Sequence, residues 1–244
     1  MSPRHYIVSL AVAALVLPAG IARAQGAHEY KVLATSKTST AEKEMNEAAD
    51  AGFRFDGVMG GETAFGGSEV VVLMSRMKDV PPKGRFAYKL LATSKTSTMQ
   101  KELDEAAAQG FRVVAGSPTS GAEMVLLLER VAQPPDTYKY KLLATTRTGT
   151  MQKELNDAAE EGYRLLPQTM IAKQQLLGAQ EVVVVLERPP KATKRYEYKL
   201  LATSRTSTLQ KEVADAQAGG FVLVGMVSRG EHMVIMEREA EARE

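Results

Sequence analysis

The sequence predicts an α+β fold: four tandem β-α-β-β repeats, their three-stranded sheets packed against one another, with one helix per repeat. Three observations carry this. A 24-residue segment recurs four times without a gap, beginning at Tyr30, Tyr88, Tyr140 and Tyr198. Within it, strand formers give way to residues of helical period and then to a glycine. Each copy then ends in a continuous apolar run, the pattern of a strand covered on both faces.

The duplication is plain by count. The second copy, YKLLATSKTSTMQKELDEAAAQGF, matches the first and the fourth at 17 of 24 positions and the third at 16. The spacings are 58, 52 and 58 residues. Repeats are expected over 28–78, 86–131, 138–188 and 196–238, and fraying is expected at the ends, over 25–29 and 239–244.

Residues 1–24 read as a secretory signal. Arg4 and His5 make a basic start, Ile7 to Leu17 is apolar apart from Ser9, and Ala22-Arg23-Ala24 places small residues where a signal peptidase reads them. Cleavage is expected after Ala24, and the apolar run is short of the roughly 20 residues that span a bilayer. A bacterial periplasmic or secreted protein is expected, with no transmembrane segment once the signal is removed. The 244-residue chain has no Cys, so thiol catalysis, disulfides and cysteine-based metal sites are excluded. Loss of Arg4 and Arg23 takes the basic count from 31 to 29, equal to the 29 acids. A neutral chain lacks the basic excess of a nucleic-acid binder, and no nucleic-acid partner is expected.

Each element has a local reason. Tyr88 to Thr93 is rich in strand formers. Ser97 and Gln100 read as a capping box, repeated by Ser39 with Glu42 and by Ser207 with Gln210, while Gly149 is a weaker cap in the third copy. Met99, Leu103, Ala106 and Ala107 fall on one helical face. Gly52, Gly110, Gly162 and Gly220 stand where a left-handed residue ends a helix. A second strand starts at Phe111. Third strands follow at Val70 to Met74, Met124 to Leu128, Val182 to Leu186 and Met233 to Met236. One helix covers one face of such a sheet, and a unit of about 50 residues is marginal alone. The bare face must therefore meet a neighbouring unit. Pro81-Pro82, Pro134-Pro135 and Pro189-Pro190 read as extended linkers.

Tyr88-Lys89, Gly110-Phe111-Arg112-Val113 and the strand-ending Arg130, with their counterparts, carry a resemblance. The pattern resembles the small bacterial domain-of-unknown-function family numbered 4177, over nearly the whole chain after the signal. That resemblance implies a β-α-β-β unit and no established activity, and it supplies no site residue.

Little in the sequence points to catalysis. His5 lies in the signal, His28 in the expected N-terminal tail and His232 in the last hairpin, with no paired spacing. Gly60-Gly61 and Gly66-Gly67 read as a loop without phosphate-binding spacing. Glu44, Glu102, Glu154 and Glu212 recur early in each helix, where the macrodipole favours an acid. No cofactor, metal or catalytic residue is expected. The candidate site is the loop before each helix: Lys37 and Thr38, Lys95 and Thr96, Arg147 and Thr148, Arg205 and Thr206. Hydroxyls, a cation and helix N–H groups meet there and suit a small anion. Plain helix capping accounts for the same residues. The hairpins at Gly57 to Ser68, Ala115 to Ala122, Pro167 to Gln180 and Gly225 to Glu231 differ most, and variable loops on a repeated scaffold are where binding arises. In the third, Met170, Ile171, Leu176 and Leu177 suit a short amphipathic turn. The expected function is a non-enzymatic repeat protein of the cell envelope, an interaction or structural module whose partner is an envelope protein. The alternatives are a periplasmic binder of small anions at the pre-helix loops, and a hydrolase with carboxylates in a groove between units.

Overall fold

A computed structural model describes residues 28–62, 68–78, 81, 86–118, 123–131, 137–174, 180–228 and 230–240. The expected signal segment, Gly66-Gly67 and Leu176-Leu177 lie outside them. The first unit comprises β1 (His28–Thr35), α1 (Thr38–Asp50), β2 (Arg54–Glu62) and β3 (Ser68–Met77). The second comprises β4 (Phe86–Thr93), α2 (Thr96–Ala108), β5 (Arg112–Pro118) and β6 (Met124–Val131). The third comprises β7 (Lys139–Thr145), α3 (Thr148–Glu160), β8 (Arg164–Leu165), a 3-10 turn (Pro167–Thr169), β9 (Ile171–Gln174) and β10 (Gln180–Arg188). The fourth comprises β11 (Tyr196–Thr203), α4 (Thr206–Ala218), β12 (Val222–Ser228) and β13 (His232–Glu239). No helix among the described residues is long and apolar enough to cross a membrane.

The last strand of every unit lies in the middle of its sheet, antiparallel to both neighbours. In the third unit β8 and β9 share one edge of β10, on either side of the 3-10 turn. The first and second strands of a unit thus run parallel to each other, which requires the crossover that the helix provides. The central position explains the continuous apolar runs, buried in β6, β10 and β13.

The cores are shared between units. Met99 and Leu103 of α2 with Leu91 and Leu126 of its own sheet form one cluster with Tyr140, Val183 and Val185 from the back of the third sheet. Met151 and Leu155 pack in the same way with Tyr198 and Ile235 of the fourth unit, and Met45 with Tyr88 and Leu127 of the second. The fourth unit closes on its own helix, with Leu201, Ala216, Val234 and Met236. Burying one such large side chain contributes about 1.5–3 kcal/mol, so these shared clusters are the main cohesion between units.

Each helix ends as the glycines predict. Gly52, Gly110, Gly162 and Gly220 have φ of 89°, 84°, 88° and 82°. The amide of Phe53 bonds Ala48 O and that of Gly52 bonds Ala49 O, a Schellman pair repeated in the other units. The starts differ from the capping-box expectation. The helices begin at Thr38, Thr96, Thr148 and Thr206, with Lys37, Lys95, Arg147 and Arg205 as extended cap residues and no side-chain cap. Ser39, Ser97 and Ser207 are therefore already helical, and the partners expected of the first two, Glu42 and Gln100, bond the next unit instead. Glu44, Glu102, Glu154 and Glu212 lie beyond the first turn, so the macrodipole does not explain them.

Other expectations are corrected. His28 and Glu29 belong to β1 and pair with Met77 and Arg76 rather than fraying. Gly60 and Gly61 continue β2, opposite Val70 and Glu69. The chain turns at Pro190-Lys191 instead of running extended. The described part of the third hairpin is a wedge rather than an open loop. Its Thr169 is fully buried, Ile171 enters the core shared by units two and three, and Met170 packs against the core shared by units three and four.

The wedge fits because Gly116 leaves room. A Cβ there would stand 3.0 Å from Thr169 Cα and 3.2 Å from Ile171 Cδ1, and backbone cannot swing aside as a side-chain tip can. Gly116→Val is expected to cost about 1–3 kcal/mol in urea unfolding. Gly57→Ala, with nothing within 4 Å of the added carbon, is expected within about 0.5 kcal/mol of the parent. Equal midpoints for the two variants would refute the wedge.

Candidate functional site

Once folded, a unit offers its neighbour two unsatisfied features: an apolar sheet face, and a first strand whose outer edge carries unpaired backbone groups. Both are met at the joint. Gln100 of α2 donates from Nε2 to Tyr140 O at 3.2 Å and accepts the Leu142 amide at 2.8 Å. Gln152 does the same at Tyr198 O and the Leu200 amide, 2.8 and 2.6 Å. Glu42 accepts the Leu90 amide at 2.8 Å. Asn46 exchanges two 2.9 Å bonds with the Tyr88 backbone, and Asn156 accepts the Tyr198 amide at 2.8 Å. These side chains thus act as an extra strand along the edge.

A charged lock sits beside each edge. Arg112 on β5 forks onto Glu187 of the next unit, Nε to Oε2 at 2.9 Å and Nη2 to Oε1 at 2.8 Å. The Tyr140 hydroxyl donates to Glu187 at 2.8 Å and accepts the Val113 amide at 3.1 Å. Arg54, Glu129 and Tyr88 repeat the arrangement at the first joint, and Arg164, Glu237 and Tyr198 at the third. The three glutamates are buried and the three arginines half exposed. A buried carboxylate is costly unless paired and fully hydrogen-bonded, and here the fork and the hydroxyl engage both oxygens. Each guanidinium also lies over an aromatic ring of the next unit: Arg54 on Phe86 at 4.8 Å, Arg112 on Tyr138 at 4.5 Å, Arg164 on Tyr196 at 4.6 Å. The hydrogen bond to glutamate raises the pKa of each arginine, and burial pushes each tyrosine hydroxyl well up.

A second arginine in every unit works at home. Arg76, Arg130, Arg188 and Arg238 stack on Phe53, Phe111, Tyr163 and Phe221 at 4.6–4.9 Å. Each also donates to a carbonyl at the end of its own helix, Ala51, Gln109, Glu161 or Gly219.

Where units two, three and four meet, a cleft of about 500 Å³ opens. The second and third locks line it, with Tyr138, Tyr196, Lys191 and Lys194. Both acids lining it, Glu187 and Glu237, are the buried locked ones, each engaged by an arginine and a tyrosine. Lys194 is bound to Glu239 at 2.7 Å.

The sequence-predicted residues lie apart from this chemistry. Lys37, Lys95, Arg147 and Arg205 are exposed, each at the start of its own helix, beside Thr38, Thr96, Thr148 and Thr206. Their amides donate to the hydroxyls of Thr35, Thr93, Thr145 and Thr203 at 3.1 Å. The second loop has a further partner, because buried Lys173 of the third hairpin donates to Ser94 O at 2.7 Å and pairs with Glu181 at 3.2 Å. His28 stacks on Tyr30, and His232 lies 3.4 Å from Ser228 Oγ.

Sequence reasoning missed the lock. Its signal was an offset: arginine follows the Gly-aromatic pair in units one to three, and glutamate closes the central strand in units two to four. Comparisons of the chain with protein-family models, with curated proteins and with solved structures each give no match.

The tyrosines make the joints sensitive to alkali. Their folded pKa values lie above the ordinary 10.0, so above about pH 10 the unfolded chain releases three protons that the folded chain keeps. Stability is whole below that pH and falls as pH rises, by up to about 4 kcal/mol per unit for three sites. Urea midpoints from about pH 9 to about pH 12 are expected to drop steeply, and less steeply when Tyr88, Tyr140 and Tyr198 are all Phe. Parallel curves would count against buried phenols at the joints.

Proposed function

We propose that the chain is a non-enzymatic scaffold of the bacterial cell envelope, exported by residues 1–24 and acting through surfaces of a four-unit array. One observation carries this reading: the recurrent charged and amide side chains are spent on joining units. Arg112, Glu187, Tyr140 and Gln100 form the second joint, and their counterparts form the first and third. An enzyme keeps its reactive groups poised toward a substrate, whereas these are saturated by one another. The neutral charge balance without residues 1–24 fits a protein that meets its partner by shape and apolar contact rather than by field. The repeat's likeness to family 4177 supports the same unit fold.

Two measurements test the reading. Expressed with its own N-terminus in a bacterial host, the chain is expected in the periplasm or medium, beginning at Gln25. Thermal unfolding with phosphate, sulfate or glucuronate is expected to move the parent and a variant with Lys37, Lys95, Arg147 and Arg205 all replaced by Ala equally, since such salts act on any surface. A shift specific to the parent would overturn the scaffold reading in favour of anion capture at the pre-helix loops.

A further inference from the structure

The three joints inside the chain share two halves. One is the helix-side face of a unit, with the strand that follows the helix. The other is the back of the next unit's sheet. At the two ends of the array each half recurs with no covering unit among the described residues. On β1, Tyr30 is 60% exposed and Val32 63%, where the corresponding Tyr88 is 2% exposed. On β12, Val222, Leu223 and Met226 are 61%, 54% and 63% exposed. They correspond to Arg54, Phe55 and Val58, and the last two pack in the core shared with the second unit. Exposed apolar clusters of this kind mark interaction surfaces.

The lock residues are absent in matching fashion at the two ends. Val222 stands where three units carry arginine, and Ser75 where three carry glutamate. Ala214 stands where Asn46 and Asn156 grip the next strand. A terminal repeat built to face water turns polar outward. Here the fourth unit has neither a guanidinium nor an amide at these positions and is apolar, while the first has no carboxylate that such a face would leave unpaired. The two ends therefore stay complementary to each other. Gln210 is retained and exposed, at the position from which Gln100 and Gln152 hold the next unit's strand.

We propose that a second copy of this chain covers these faces: the back of the first sheet of one copy docks on α4 and β12 of another, so that copies stack head to tail as units do. This rests on the scaffold reading and names its partner. The contact is heterologous, so it builds rings or open filaments rather than a two-fold dimer.

The test uses the full chain as purified from the host envelope, with sedimentation followed across concentration and circular dichroism to verify folding. The parent is expected to grow beyond a monomer. Val32→Glu blocks the first face and Met226→Glu the last, so each alone is expected to stay monomeric. Their mixture is expected to form a heterodimer and nothing larger. Adding Val222→Arg to the first variant and Ser75→Glu to the second restores the internal lock at the one productive joint, and is expected to tighten that heterodimer by about tenfold or more. A folded parent that stays monomeric, together with a mixture that stays monomeric even with the lock restored, overturns the proposal. Growth that survives either blocking substitution overturns it too, by placing the contact elsewhere. An envelope protein that cross-links to β12 of a monomeric chain sinks self-stacking and leaves the scaffold reading intact, whereas an anion shift that depends on Lys37, Lys95, Arg147 and Arg205 strikes the scaffold reading instead.

Discussion

A three-stranded sheet has two apolar faces, and one helix covers only one of them. Everything else in the molecule answers that shortage. The helix packs on its own sheet and also on the first strand of the next unit, and the back of that next sheet completes the cover. Each unit thus supplies its successor with the surface it cannot make for itself. Burial is non-directional and drives the stacking. The lock and the edge amides are directional and fix its register.

The side chains divide accordingly between work inside a unit and work between units. The strand-ending arginine, which caps the helix and covers the aromatic, is present in all four copies: Arg76, Arg130, Arg188 and Arg238. The arginine that crosses the joint is present in three, and so is the glutamate that receives it, displaced by one unit. A group used at home is needed four times, and a group used between neighbours only three. The same logic explains why Glu187 tolerates burial: the Tyr140 hydroxyl of its own unit bonds it, and the guanidinium fork that balances its charge arrives only when the neighbour docks. The lock therefore also selects against a unit docked out of register.

Much of the fold was legible in the sequence because duplication repeats every local signal. Met99, Leu103, Ala106 and Ala107 are the buried face of α2, as their spacing requires. Gly110 holds the left-handed position, and the runs at Met124 and Val182 are buried strands. The site was less legible because its signals have two local readings. Ser97 followed by Gln100 has the form of a capping box, but the helix begins ahead of that serine, at Thr96, and nothing nearby in sequence reveals that Gln100 holds a strand edge about 40 residues on. The lock joins residues about 75 positions apart. Only its offset between copies betrays it, and an offset becomes meaningful once the order of stacking is known.

The third hairpin breaks the symmetry that duplication imposed. In a pure stack each unit meets its neighbours only through faces and locks, and stability is a sum of like terms. Thr169 and Ile171 reach into the second unit beside Gly116, and Met170 reaches into the fourth beside Gly225. Lys173 ties the same hairpin to the second unit's pre-helix loop. The cleft of about 500 Å³ is bounded by this same group of three units. The first joint has a lock and shared core of the same design but no contact from this wedge among the described residues. Among the described residues, the joints between units two and three and between units three and four therefore carry contacts from this hairpin in addition to the lock and the shared core. Divergence in a hairpin that need not preserve the repeat thus adds its own contacts at two of the three joints.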